Sequence, residues 1–134
     1  MKTAVIYWSG TGNTEAMAKA AAEGANAELF EVSEFSGNVA DYDAFAFGCP
    51  AMGAEVLEED KFEPFFTGIE GSLSGKKVLL FGSYGWGDGE WMRGWEKDCD
   101  DSGIRLVCES VTCCEAPDDA ALDACRALGK ELAK

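Results

Sequence analysis

The chain has 134 residues, 47% hydrophobic and 27% charged, with 25 acidic against 11 basic side chains and a formal net charge of −14. That length suits one domain spanning residues 1–134 with its own core, and such acidity disfavours nucleic acid and anionic membranes while favouring basic patches on other proteins. Histidine is absent, which removes the commonest general acid–base at neutral pH, and the 6 cysteines show neither paired disulfide spacing nor metal-ligand spacing.

Residues 3–8 (TAVIYW) form an apolar, strand-like run. Nothing ahead of it has signal-peptide anatomy and no apolar run is long enough to span a bilayer, so a cytoplasmic protein is expected. Residues 13–23 (NTEAMAKAAAE) predict a helix with Met17, Ala18, Ala21 and Ala22 on one face and Gly24 closing it. Residues 28–32 alternate polar and apolar, as a half-exposed edge strand does, and residues 33–43 show no clear helix. Residues 44–49 (AFAFGC) predict a buried strand ending at Pro50, and residues 61–70 a short helix ending at Gly71. Residues 77–82 (KVLLFG) predict a second buried strand. Residues 89–102 predict a helix with Trp91, Met92, Trp95 and Cys99 inward. Residues 104–113 predict the last strand. Residues 117–133 predict the last helix, with Pro117 in its first turn, Asp118 and Asp119 at the positive end of the dipole, and Ala121, Cys125, Leu128 and Leu132 on its inner stripe.

Five strands and four helices in near alternation predict an α/β fold, a parallel sheet with helices on both faces. Ligands of such sheets bind beyond the carboxyl ends of the strands, where strand order reverses. The loops at 9–14, 50–60, 83–89 and 114–116 are therefore the places to look for chemistry.

The first loop, Ser9-Gly10-Thr11-Gly12-Asn13-Thr14, follows a buried strand and opens a helix. Its glycines permit a tight turn that aims N–H groups inward, and the helix start favours an anion. Four side chains can add donors, and no lysine follows the glycines as in a P-loop. A phosphate monoester fits; a simple helix cap is the plainer alternative. The second loop is Ala51-Met52-Gly53-Ala54-Glu55, and the third is Ser83-Tyr84-Gly85-Trp86-Gly87-Asp88-Gly89. A tryptophan among glycines on a strand-end loop suggests a stacking surface, and Met52 can lie on the other side of a flat ring. Core filling is the alternative for either residue alone.

In composition, order and spacing the runs YWSGTGNTE (7–15), GCPAMGAE (48–55) and FGSYGWGDGEWM (81–92) resemble the short-chain flavodoxins. That resemblance implies a flavodoxin-like three-layer sandwich with strand order 2-1-3-4-5 and a non-covalent FMN. It assigns the FMN phosphate to Ser9, Gly10, Thr11, Gly12, Asn13 and Thr14. It sets Met52 against the inner face of the isoalloxazine ring and Trp86 against the outer face. The Met52–Gly53 peptide would lie by N5, with Glu55 accepting from N3–H and the backbone of Gly85, Trp86 and Gly87 near the pyrimidine oxygens. Ala51, Ser83 and Glu115 would line the ribityl chain; Tyr84 and Ala54 complete the loops, Ala54 standing where some members carry a polar residue. Cys113 and Cys114 have no family role and read as apolar-like core thiols.

The resemblance further implies a low-potential one-electron carrier working between semiquinone and hydroquinone, not an enzyme. Its expected partners are low-potential iron–sulfur oxidoreductases and hydrogenase-type enzymes with basic docking patches, and a monomer is expected. An FMN-dependent NAD(P)H reductase of the same fold is the alternative; it would need a nicotinamide pocket.

Overall fold

A computed structural model describes residues 2–52, 56–85, 87 and 89–134. Five parallel strands form one sheet: β1 (Thr3–Tyr7), β2 (Glu28–Glu31), β3 (Ala44–Gly48), β4 (Lys77–Tyr84) and β5 (Val111–Cys114). Their order is β2-β1-β3-β4-β5, as expected. The register is continuous across the centre, with Ile6 opposite Phe47 and Phe47 opposite Leu80. β1 and β3 are buried throughout, since helices cover both faces of a parallel sheet.

Successive side chains on a strand point to opposite faces, and the core divides accordingly. On one face Ile6, Phe45, Phe47, Val78 and Leu80 pack with Phe62, Phe66, Trp91, Met92 and Trp95 from helices α2 (Phe62–Ile69) and α3 (Glu90–Asp101). On the other face Val5, Ala44, Ala46, Leu79 and Phe81 pack with Met17, Ala18, Ala21, Cys125, Leu128 and Leu132 from α1 (Asn13–Ala25) and α4 (Asp119–Leu132).

Four details differ from the sequence reading. Gly24 does not close α1. The helix runs to Ala25 and ends on Asn26 in the left-handed conformation, while a Cβ on Gly24 would run into the Arg126 backbone on α4. Gly24 is a close-packing residue. The run at 104–113 is not one strand: only Val111–Cys114 pairs along its length, and Leu106 makes an isolated bridge to Val78. Pro117 precedes α4, whose N-cap is Asp118, its side chain accepting from Ala121 N–H at 2.8 Å. Finally, Cys114 is exposed rather than in the core, because alternation along the edge strand turns it away from the cluster that Cys113 packs against.

Candidate functional site

The strand order reverses between β1 and β3, since β1 connects outward to β2 and β3 to β4 on the other side. The loops that follow β1 and β3 therefore diverge and leave a crevice, a rule for which FMN-binding proteins of this strand order are themselves an example. At that edge lies a cleft of about 310 Å³, lined by Trp8, Gly10, Thr11, Asn13, Pro50, Ala51, Met52, Ser83, Tyr84, Gly85 and Glu115. All four loops singled out in the sequence contribute to it.

The first loop is shaped by its own residues. Gly12 sits in the left-handed region at φ 96°, which glycine adopts without a Cβ penalty, and its N–H donates to Ser9 Oγ at 3.0 Å. Ser9 therefore braces the turn. The N-cap Gly12 has no side chain to offer, Asn13 N–H reaches Thr11 Oγ1 only at 3.5 Å, and the N–H groups of Thr14 and Glu15 have no acceptor among the described residues. An uncapped helix start with free N–H groups is a seat for an anion. The Thr14 hydroxyl is buried and lies 3.3 Å from Ser83 Oγ, tying the loop to β4. Ser9, Gly12, Thr14 and Gly87 are not among the lining residues.

The loop after β3 carries Ala51 and Met52 to the opposite wall. Ala51 N–H donates to Ser83 O at 3.0 Å, so its base continues the sheet pairing. Met52 and Val56 form an antiparallel bridge, Met52 N–H donating to Val56 O at 2.9 Å. Met52 is 36% exposed, large for an apolar side chain and ready to cover a ligand. Gly53, Glu55 and Trp86, which the family resemblance assigns to the ring, and Ala54, which it sets in the same loop, lie outside the described residues.

Ser83 and Tyr84 belong to the end of β4 rather than to a free loop. Glu115 follows β5 with a left-handed φ of 59°, held by its N–H donating to Tyr84 O at 2.6 Å. A non-glycine residue in that region costs about 1–2 kcal/mol, and such strain clusters at functional sites. Glu115 is the only charged side chain among the described lining residues. No lysine or arginine is among the described lining residues, so added negative charge on a ligand meets no counter-charge from them.

Two lining residues lie outside the assigned set, though Trp8 belongs to the matched run at 7–15 and Pro50 opens the loop at 50–60. Trp8 follows the last residue of β1, and its ring packs under the first loop, where a Cβ on Gly10 would meet it at 3.0 Å. Pro50 lies two residues beyond β3. Both stand at the carboxyl ends of the strands flanking the reversal, and that position was the available signal. Trp91, another aromatic close in sequence, is a core residue whose Nε1 donates to Cys49 O at 3.0 Å.

These residues suit FMN on three counts. The cleft volume falls in the range of small-molecule sites. Trp8, Pro50, Ala51, Met52 and Tyr84 offer flat or apolar surface to a ring system. An uncapped helix start with the hydroxyl of Thr11 and the amide of Asn13 sits at the rim for a phosphate.

The family model described as Flavodoxin matches residues 5–129. The chain is 47% identical over 136 residues to a flavodoxin of Megasphaera elsdenii, the match covering 97% of each chain. It is 45% identical to a flavodoxin of Clostridium beijerinckii, covering 96% of this chain and 97% of that one. The solution structure of the two-electron reduced Megasphaera elsdenii flavodoxin superposes with a TM-score of 0.81 at 42% identity, covering 98% of both chains. A flavodoxin from the domain Archaea gives a TM-score of 0.85 at 26% identity, covering 99% of this chain and 96% of that one.

Proposed function

The chain belongs to the flavodoxin family, and from that premise we propose that it carries electrons one at a time on an FMN held without a covalent bond in the strand-end cleft. FMN, when bound, supplies the redox chemistry. The protein binds it, orients it and sets how readily it accepts charge. The observation that carries the reading is the cleft itself, where an uncapped helix start meets an apolar wall at the strand-order reversal.

Each part of the cleft has a task. Gly10, Thr11, Asn13 and the first turn of α1 take the phosphate, while Ser9 and Gly12 keep the loop in shape and Thr14 ties it to Ser83. Ala51, Ser83 and Glu115 border the ribityl chain. Met52 and Tyr84 exclude water from the ring, with Trp8 closing the cleft beneath the first loop. Gly53, Glu55, Trp86, Gly85 and Gly87 are assigned to the ring through the family resemblance, with Ala54 completing the loop between Gly53 and Glu55. An acidic cleft wall in a protein of net charge −14 disfavours adding negative charge, which makes the carrier low-potential.

The partners are redox enzymes with basic docking patches, drawn by the acidic surface. No helix among the described residues is long and apolar enough to cross a membrane, in keeping with a carrier that meets its partners by diffusion. The two relatives at 47% and 45% identity are named flavodoxins, which does not favour the reductase alternative.

The test is selective loss. Apoprotein titrated by flavin fluorescence should bind FMN far better than riboflavin, because the phosphate seat supplies much of the contact. Thr11→Ala should weaken FMN by about 0.5–1.5 kcal/mol, the scale of one hydrogen bond, and leave riboflavin unchanged. Equal losses for both ligands would refute the phosphate assignment.

A further inference from the structure

We propose that Glu58 is a positioning residue for the flavin: its buried carboxylate latches the loop between β3 and α2 and so fixes the wall of the cleft that bears Met52. This rests on the reading of the cleft as an FMN site.

Glu58 is only 5% exposed, although it is a glutamate on a surface loop of an acidic protein. Its Oε1 accepts from Lys61 N–H at 2.8 Å and Phe62 N–H at 2.7 Å, and its Oε2 accepts from Asp60 N–H at 2.9 Å. The carboxylate thus caps the start of α2 from inside the turn. Its own N–H donates to Cys49 Sγ at 3.3 Å, and its carbonyl accepts from Glu63 N–H at 2.9 Å. Cys49 in turn is fully buried at the end of β3, its carbonyl held by the Trp91 indole.

The latch joins the two ends of the loop. Residues 49 and 58 are pinned together, and the Met52–Val56 bridge stands on the span between them. Residues of that span line the cleft: Pro50, Ala51 and Met52. Nothing else described holds the returning half so firmly, since Val56 is exposed and Leu57 only partly buried. A buried carboxylate is costly unless its lone pairs are satisfied, and here three backbone donors satisfy them. A hydrophobic residue would bury as well but could not tie three N–H groups to one point.

Glu58→Gln keeps the length and loses the charge; Glu58→Asp keeps the charge and is one methylene too short to reach all three donors. Asp118→Ala serves as control, since it removes an ordinary helix cap on the opposite face. Apoproteins are checked for folding by circular dichroism, titrated with FMN and with riboflavin, then loaded and titrated for the two one-electron potentials. Both Glu58 variants should weaken FMN and riboflavin by the same factor, about tenfold for Gln and less for Asp, because the loop faces the ring and not the phosphate. The separation of the two potentials should narrow, by about 59 mV for a tenfold change in the equilibrium constant that links them. Asp118→Ala should lower thermal stability and move neither affinity nor potentials.

Wild-type affinity and potentials in both Glu58 variants would overturn the proposal. So would a common rise of both potentials at unchanged separation and affinity, which would make Glu58 a charge and not a latch. Loss of folding in both variants would also overturn it, because the residue would then hold the domain rather than the loop. A wild-type protein that binds neither flavin would instead overturn the parent reading of the cleft.

Discussion

On one face of the sheet α1 and α4 meet through alanine and glycine; on the other α2 and α3 rest on phenylalanine and tryptophan. Gly24 and Gly129 let the α1 and α4 backbones touch, for a Cβ on Gly129 would strike the carbonyl of Ala21. Across the sheet, Phe62 and Phe66 stack on each other and meet Trp95 edge-on, with ring centroids at 5.4 and 5.6 Å from it. The loops follow suit. The loop into α1 is short and shaped by the helix start itself, whereas the loop into α2 is long and needs a buried carboxylate to fold back. Small residues give the first loop a rigid, closely packed base, and bulky rings leave the loop between β3 and α2 a position that must be set separately.

The largest break in that contrast should come from the aromatic face. Phe47→Ala removes a fully buried ring stacked on Phe45 and edge-on to Phe66, and should cost about 3–5 kcal/mol by chemical denaturation. On the alanine face the sensitivity is to added volume. Gly129→Ala should destabilise by about 1–3 kcal/mol despite alanine's better helix propensity, because overpacking outweighs the roughly 1 kcal/mol gained from propensity. A stabilised Gly129→Ala protein would show that the two helices are not in backbone contact.

The smallest effect is on pH. Burial opposes the charge of Glu58, yet its backbone donors outweigh that and hold its pKa below the ordinary value of 4.5. A lowered folded-state pKa gives stability that is fully present above that value and lost as pH falls through the folded one. Wild-type Tm should therefore drop more steeply below about pH 4.5 than that of Glu58→Gln. Parallel acid limbs would remove the ionised latch from the account. Cys49, pushed up to about 12 chiefly by burial, stays a neutral thiol over the whole range and adds no slope.

The alternation of strand and helix runs was enough to read the sheet, because burial on both faces leaves an apolar signature in residues 44–48 and 78–81. What escaped were the features that depend on a neighbour distant in sequence. A glycine can stop a helix or admit another helix, and only α4 beside Gly24 decides which. The apolar residues at 104–107 look like strand, but the edge register leaves only Leu106 bridged there. In the site, the loops were legible from their glycines and hydroxyls. Trp8 and Pro50 were not, since each reads as part of a strand or as its stop until the reversal of strand order brings both to one cleft. Glu58 was silent for the same reason: one glutamate among several acidic neighbours, distinguished only by being folded inward.

The central claim is that this cleft holds FMN as a one-electron carrier of low potential. A reductive titration of the FMN-loaded protein, followed by absorbance against dyes of known potential, tests it most directly. Two well-separated one-electron steps, the second strongly reducing, are the predicted result. A single two-electron step, or a second potential no lower than that of free FMN, would contradict it.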